Sequence, residues 1–527
     1  MNSNLALSVE KRKVVADKIY FISLILLVVG MPLSLFLISI SQFGLVSSFL
    51  IGGDYFKKTK RFFTNKVCLS LTAVYVMHIL GLLYTTDYNY AFNDLRIKAP
   101  LLLLPFILFT ASQLNAKQFL IVLKFFVLAC LAGTVVSTYV WWGFSKKVIT
   151  DTRQISIFIS HIRFSLLIAI SIFSCIYFIA KSDKTIVVKG LHAGLILWFV
   201  SFLIILESMT GLIVGGFAVV ACLLQHLIQR KRYAITTALL FTAAVFIGFS
   251  INYFLTEIRK LNTEELIDLS HLPQRTAKGN LYKHELFNAD VENGHRIFLY
   301  VAYDELKEEW DKRSTIAFDS LDQKQQSVKY TLIRYMTSKG LHKDAEGMQA
   351  MSAADINNVE KGIGSIVQLN QTGLKGRVEN TIWELNNYQQ GGDPSGHTLT
   401  MRFVFWKASL SVIKNNLLFG VGTGDNKTAL NAYYENNNSQ LSKQWWLRSH
   451  NQYLAAGVSF GLVGLFFFLF TLLYPLIKLN KTQDYFYYTF FIVAVLSFLT
   501  EDTLESQAGV TFFAFFNSFF LFARKNN

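Results

Sequence analysis

The chain has 527 residues, of which 52% are apolar, 15% aromatic and only 16% charged. Soluble domains carry about 25% charged residues, so a water-soluble globule is excluded, and recurrent apolar stretches near bilayer length point to a polytopic membrane protein. The net charge of +15 reads mostly as a signal of membrane orientation, and nucleic acid is not a needed partner.

In chain order, apolar stretches predict twelve spans near 19–35, 37–53, 65–85, 99–113, 118–141, 157–180, 187–206, 210–228, 233–255, 451–477, 484–500 and 507–523. The first two form a tight pair broken near Pro32, and the short 99–113 stretch leaves eleven as the alternative. Basic residues precede the first apolar stretch as in a signal peptide. The apolar run continues without a small-residue cleavage site, so the segment is expected to be retained. One set of short connections and tails holds twenty Lys and Arg residues between Lys11 and Lys525, among them Lys57, Lys58, Arg61 and Lys184. The opposite set holds five: Arg96, Lys98, Lys146, Lys147 and Arg153. Positive charge gathers on the cytoplasmic side. Both termini are therefore expected in the cytoplasm of a bacterial inner membrane, with the long loop in the periplasm.

The expected architecture is an all-α polytopic membrane protein. A nine-span block (1–255) precedes a large, mostly helical periplasmic loop domain (256–449) and a three-span block (450–527). Within the loop, Ile297–Glu309, Ser327–Lys339 and Asn380–Tyr388 mix apolar and polar residues at helical spacing. Asp393-Pro394-Ser395-Gly396 is a turn signal before a further helix near Leu399. Cys68, Cys130, Cys175 and Cys222 all fall in predicted spans, so the loop has no disulfide framework or cysteine zinc site.

Several polar groups converge on the outer face in this topology. His450 and Arg448 end the loop, and Arg402 and Trp406 lie one helical turn apart before Gly420-Val421-Gly422-Thr423-Gly424-Asp425. His161 and Arg163 stand near the sixth span, Arg96 and Lys98 precede the fourth, and Glu501, Asp502 and Glu505 occupy the last outer loop. Ionisable residues at membrane depth are expensive and mark functional candidates. The set suits a polyprenyl diphosphate sugar donor, since arginine binds diphosphate with permanent charge and a fixed fork. A histidine near its ordinary pKa can accept the proton of an acceptor hydroxyl.

Each residue also has a plainer reading. Arg163 and His161 can snorkel or cap a helix, Trp445 and Trp446 suit an interfacial belt, and the acidic trio can be structural. The glycine run lacks the Lys-Ser/Thr of a phosphate loop and reads as a turn. His271, His284, His295, His342 and His397 show no zinc-ligand spacing, and no Asp-x-Asp pair accompanies the candidates, so no metal is required.

Arg402-x-x-x-Trp406, then Leu418-Phe419-Gly420-Val421-Gly422-Thr423-Gly424, then His450-Asn451-x9-Gly461-x-x-Gly464 together resemble the O-antigen ligase and polymerase superfamily. The motifs run from 402 to 464, and the hydropathy layout extends the likeness along the chain. Ser160–Ser165, Arg334–Gly340 and Thr500–Gly509 resemble the form of the family found in Bacteroidetes. The resemblance implies a membrane glycosyltransferase that needs neither metal nor other cofactor. Its partners would be an undecaprenyl diphosphate-linked glycan donor, a hydroxyl acceptor such as lipid A-core, and the bilayer. It also implies that His450 assists transfer and that Arg402 holds diphosphate, with Arg163, Arg448 and Arg96 as further candidates. His161, Glu501, Asp502 and Glu505 are acceptor-side or structural candidates. One departure is visible: family members often carry Arg in a Ser-Arg-Gly-type turn, whereas this chain has Ser208-Met209-Thr210-Gly211. Arg163 is the candidate substitute. An O-antigen polymerase and a protein O-oligosaccharyltransferase would use the same donor and remain alternatives. A lipid-linked sugar transporter is the alternative of another class, but transport sites lie near the midplane between broken helices, away from where these ionisable residues gather.

Overall fold

The computed structural model describes residues 2–145, 151–181, 185–262, 268–288, 290–369 and 373–525. Lys146, Lys147 and Lys184 of the charge count lie outside the described residues. The fold is mostly helical, as expected for an all-α polytopic membrane protein. Nine helices among the described residues are long and apolar enough to cross a membrane: Glu10–Leu33, Leu35–Gly52, Lys66–Leu83, Ala116–Trp141, His161–Lys181, Ile186–Ile205, Met209–Gln229, Tyr233–Arg259 and Gln452–Lys478. The other three expected spans are the shorter helices Pro100–Thr110, Tyr485–Thr500 and Gln507–Ser518 with its π-helical continuation to Ala523.

The chain divides into two compact units, Met1–Tyr233 with Trp406–Leu430 and Arg448–Asn527, and Ala234–Phe405 with Asn431–Leu447. In the first unit the helix Gln507–Ser518 is buried on nearly every side, which is why its sequence is apolar all round. Offset aromatic rings lock its C-terminal continuation in place, with Phe119 and Phe519 at 4.8 Å and Phe486 and Phe520 at 5.4 Å. Ser34 separates the first two helices and caps the second, accepting from the Leu37 N–H at 3.2 Å.

Two backbone features of this unit position the site. The short Pro100–Thr110 helix follows the polar helix Tyr88–Lys98 through Ala99, which is itself in helical conformation. Pro100 supplies no N–H at that junction. The apolar run at 99–113 is short because it is half of a longer helical path whose other half carries Asp94 and Lys98. The second feature lies inside Gln452–Lys478, where Gly461 has φ 63° and interrupts the helix. Main chain fills the break: Leu462 N–H donates to Leu417 O at 2.8 Å, and Val421 N–H to Val458 O at 2.9 Å. A Cβ on Gly461 would stand 2.4 Å from the Leu418 carbonyl, and one on Gly420, φ 67°, 2.4 Å from the Phe460 nitrogen. Both glycines are required by backbone packed on backbone.

In the second unit, the helices Tyr303–Asp311, Val328–Ser338 and Ala353–Glu360 enclose a core of Leu306, Trp310, Leu332, Tyr335, Met336 and Val359. The helical pattern read from Ile297 begins only at Tyr303. Ahead of it, Val291–Glu292 and His295–Arg296 form a small antiparallel hairpin, and Tyr300 adopts φ 55°.

Candidate active site

The segment Arg448–Gln452 is held along both edges by hydrogen bonds. Asn451 caps the following helix by accepting from Leu454 N–H at 3.0 Å, while its amide donates to Leu499 O at 3.0 Å. Gln452 Oε1 accepts from the Leu504 N–H at 2.7 Å. These bonds fasten the segment to the end of Tyr485–Thr500 and to the loop beyond it. His450 has φ 44°, an uncommon conformation for a residue with a side chain. Its Nδ1 stands 3.6 Å from Glu501 Oε2 and 3.9 Å from Asp502 Oδ1, and its side chain remains about a third exposed (31%).

A continuous chain of charges runs inward from there. Arg448 Nε lies 3.2 Å from Asp502 Oδ2, and its Nη1 lies 3.2 Å from Glu505 Oε2. Lys98 Nζ, on a side chain only 2% exposed, stands 2.9 Å from the same Glu505 oxygen and 2.6 Å from Asp94 Oδ1. His78 Nε2 is 3.8 Å from Asp94 Oδ2. Burial pushes Asp94 up to about 6 against the pull of Lys98, and it also raises Asp502 despite Arg448. For Glu505 burial acts in the same direction, but Lys98 and Arg448 outweigh it and hold the carboxyl at about 2. Burial opposes the charge of Arg448, yet Glu505 and Asp502 raise its pKa overall.

With Glu501, the four carboxylates exceed the two permanent cations, so the surroundings of His450 carry net negative charge. His450, Glu501 and Asp502 also form a group, with ligand atoms within 4.8 Å of one another, that could hold a metal ion. Sequence spacing did not reveal it, because about fifty residues separate the histidine from the acids. Arg448 already supplies a fixed positive charge to Asp502 at this place.

The glycine run ends in an anchor. The Asp425 carboxylate accepts from Thr86 N–H at 2.7 Å, Asp87 N–H at 2.9 Å and the Thr86 hydroxyl at 2.8 Å. It thereby fixes the start of the helix that carries Asp94 and Lys98. Burial would raise the Asp425 carboxyl, but these donors hold it below its ordinary value.

Arg96 is exposed and donates to Asn93 Oδ1 at 2.7 Å. His161 opens the helix that carries Arg163. The Arg163 Nε is buried and makes no hydrogen bond among the described residues. Two residues on, Ser165 packs against the Ser208–Gly211 turn so closely that a Cβ on Gly211 would come within 2.4 Å of the serine Cβ. Arg163 thus belongs to the helix stretch that meets the turn carrying Met209. Arg402 lies in the second unit, where its Nη1 donates to Thr398 O at 3.2 Å.

Residues 353–469 match the family model described as O-antigen ligase. The resemblance to that family is borne out. The matched stretch holds Arg402, the glycine run, His450 and the Gly461 break, all of the motifs that carried the O-antigen ligase likeness. Glu501, Asp502 and Glu505 lie beyond it, and reach His450 and Arg448 only through the fold. No curated protein matches the chain.

Proposed function

We propose that the protein is an inverting membrane glycosyltransferase of the O-antigen ligase kind. It moves a glycan from undecaprenyl diphosphate to an acceptor hydroxyl, that of lipid A-core, at the periplasmic face of the inner membrane. The observation that carries this reading is His450 of the O-antigen ligase motif held beside Glu501 and Asp502 while still open to solvent.

The acceptor hydroxyl gives its proton to His450 as its oxygen forms a bond to the anomeric carbon. The bond from that carbon to the diphosphate oxygen breaks, and its electron pair leaves on the diphosphate. A single displacement inverts the anomeric centre. Glu501 and Asp502 stabilise the imidazolium that forms. Arg163 holds the diphosphate and neutralises its developing charge. Arg448 is engaged by two carboxylates and orders the acceptor side, while exposed Arg96 is the weaker diphosphate candidate. No step requires a metal.

Deleting the gene and comparing lipopolysaccharide with lipid-linked glycan tests the reading. Core without attached glycan, with long chains stranded on undecaprenyl diphosphate, supports it. Core bearing a single repeat would replace it by a polymerase, and an unchanged profile would overturn it.

A further inference from the structure

The first unit contains a second built feature far from His450. A cavity of 460 Å³ opens between the N-terminal helix, the end of Leu35–Gly52, the short helix Tyr55–Phe63 and the end of Pro100–Thr110. Its lining includes five cations, Lys13, Lys57, Lys58, Arg61 and Lys525, against two acids, Asp17 and Asp54. Arg61 is fixed in place, donating to Phe109 O at 2.7 Å and lying 4.7 Å above the Phe109 ring. Burial, together with Lys13, presses Lys58 below the usual lysine value despite Asp54 and Asp17. A bound anion would relieve that strain on its charge.

An independent observation points to a ligand. Tyr20 also lines the cavity. It is only 3% exposed, and its hydroxyl is buried with no hydrogen-bond partner among the described residues. A buried, unmatched hydroxyl is destabilising, and a ligand acceptor atom entering the cavity would offset that cost.

The location argues for a lipid. Arg61 is shared with an adjoining cavity lined by Asn480 and Lys481, just past the end of Gln452–Lys478. His450 precedes the opposite end of that segment, with the whole apolar stretch of Gln452–Lys478, a candidate membrane span, between them. The cationic cavity therefore sits at the other membrane boundary. Beside it, Tyr55–Phe63 brackets Lys57, Lys58, Lys60 and Arg61 with the exposed aromatics Tyr55, Phe56 and Phe63, Phe56 being 84% exposed. That composition suits a helix lying at headgroup depth, and basic clefts between membrane helices bind anionic lipid headgroups.

We infer that this cavity binds the headgroup phosphate of an anionic phospholipid, with Lys57, Lys58 and Arg61 neutralising it and the Tyr20 hydroxyl donating to a phosphate oxygen.

The test uses the full-length protein, delipidated in neutral detergent and titrated with phosphatidylglycerol, phosphatidylcholine or inorganic phosphate. Binding is read by thermal unfolding and by native mass spectrometry. Phosphatidylglycerol should bind and stabilise. Phosphatidylcholine should not, and inorganic phosphate should act only weakly. Lys57→Gln with Lys58→Gln should weaken phosphatidylglycerol on the order of tenfold or more. Tyr20→Phe should leave the lipid-free protein no less stable while reducing the stabilisation by lipid. Equal response to both lipids, full effect from inorganic phosphate alone, or unchanged affinity in both variants would each overturn the inference. Glycan transfer plays no part in these readouts, so the outcome is independent of the proposed activity.

Discussion

Lys98 and Glu505, separated by 407 positions in the chain, form an ion pair of 2.9 Å. The lysine is almost wholly enclosed, and its Nζ also donates to Asp94 Oδ1 at 2.6 Å. Removing one partner of a buried pair leaves an uncompensated charge, at a cost of about 3–5 kcal/mol. Lys98→Met should accordingly lower the unfolding temperature in detergent and the yield of folded protein. Arg96→Met, two residues away and exposed, should change neither measurably.

The same network sets a pH dependence. Asp94 is raised to about 6, above the unfolded value near 4, so its stabilising contribution is complete below about pH 4 and is lost as pH rises through about 6. Glu505, held at about 2, contributes oppositely, and its share is lost as pH falls from about 4.5 through about 2. Between about pH 4.5 and 6 Asp94 is the one of the two that titrates. Thermal unfolding of Asp94→Asn across that window should therefore show a less negative slope of stability against pH than the wild type.

Gly461→Ala should prevent accumulation of a monodisperse protein, because its Cβ meets the Leu418 carbonyl at 2.4 Å and its φ is 63°. Two adverse terms at one position should exceed about 2 kcal/mol together. Gly215→Ala, which meets nothing within 4 Å, is the control and should leave size-exclusion profiles unchanged.

If His450 accepts the acceptor's proton, Glu501→Gln should lower kcat on the order of 10²-fold with little effect on donor KM. His450→Ala should abolish transfer while membrane insertion persists. Near-normal turnover in that variant would remove His450 from the mechanism.

Arg163→Ala should weaken donor binding if Arg163 replaces the arginine absent at Met209. Adding Met209→Arg should then restore it, since Ser165 packs directly on the Ser208–Gly211 turn. Failure of the second change to rescue would separate the two positions.

Much of the membrane architecture was legible because long apolar helices announce themselves by composition. Pro100–Thr110 and the last two helices were harder. They are short or heavily enclosed, and length alone cannot distinguish a span from a buried helix. His450 could be found from its motif, and Glu501, Asp502 and Glu505 from the cost of ionisable residues near a membrane. Asp94 and His78 were missed. Asp94 stands four residues before Lys98, a spacing that signals a helical ion pair, but nothing local shows that Glu505 completes it. The glycine run was rightly read as a turn. That it mends a broken helix depends on main-chain bonds to residues about forty positions away, which no local pattern carries.

Asp425 is tied to Thr86 and Asp87, and Arg448 is tied to Asp502 and Glu505. Residues 426–447 therefore leave and re-enter one fixed frame. The helix Asn426–Asn436 and the buried Leu430 and Tyr434 give this stretch structure of its own between those two moorings. The stretch between the two moorings can thus vary in sequence while the contacts of Asp425 and Arg448 stay where they are.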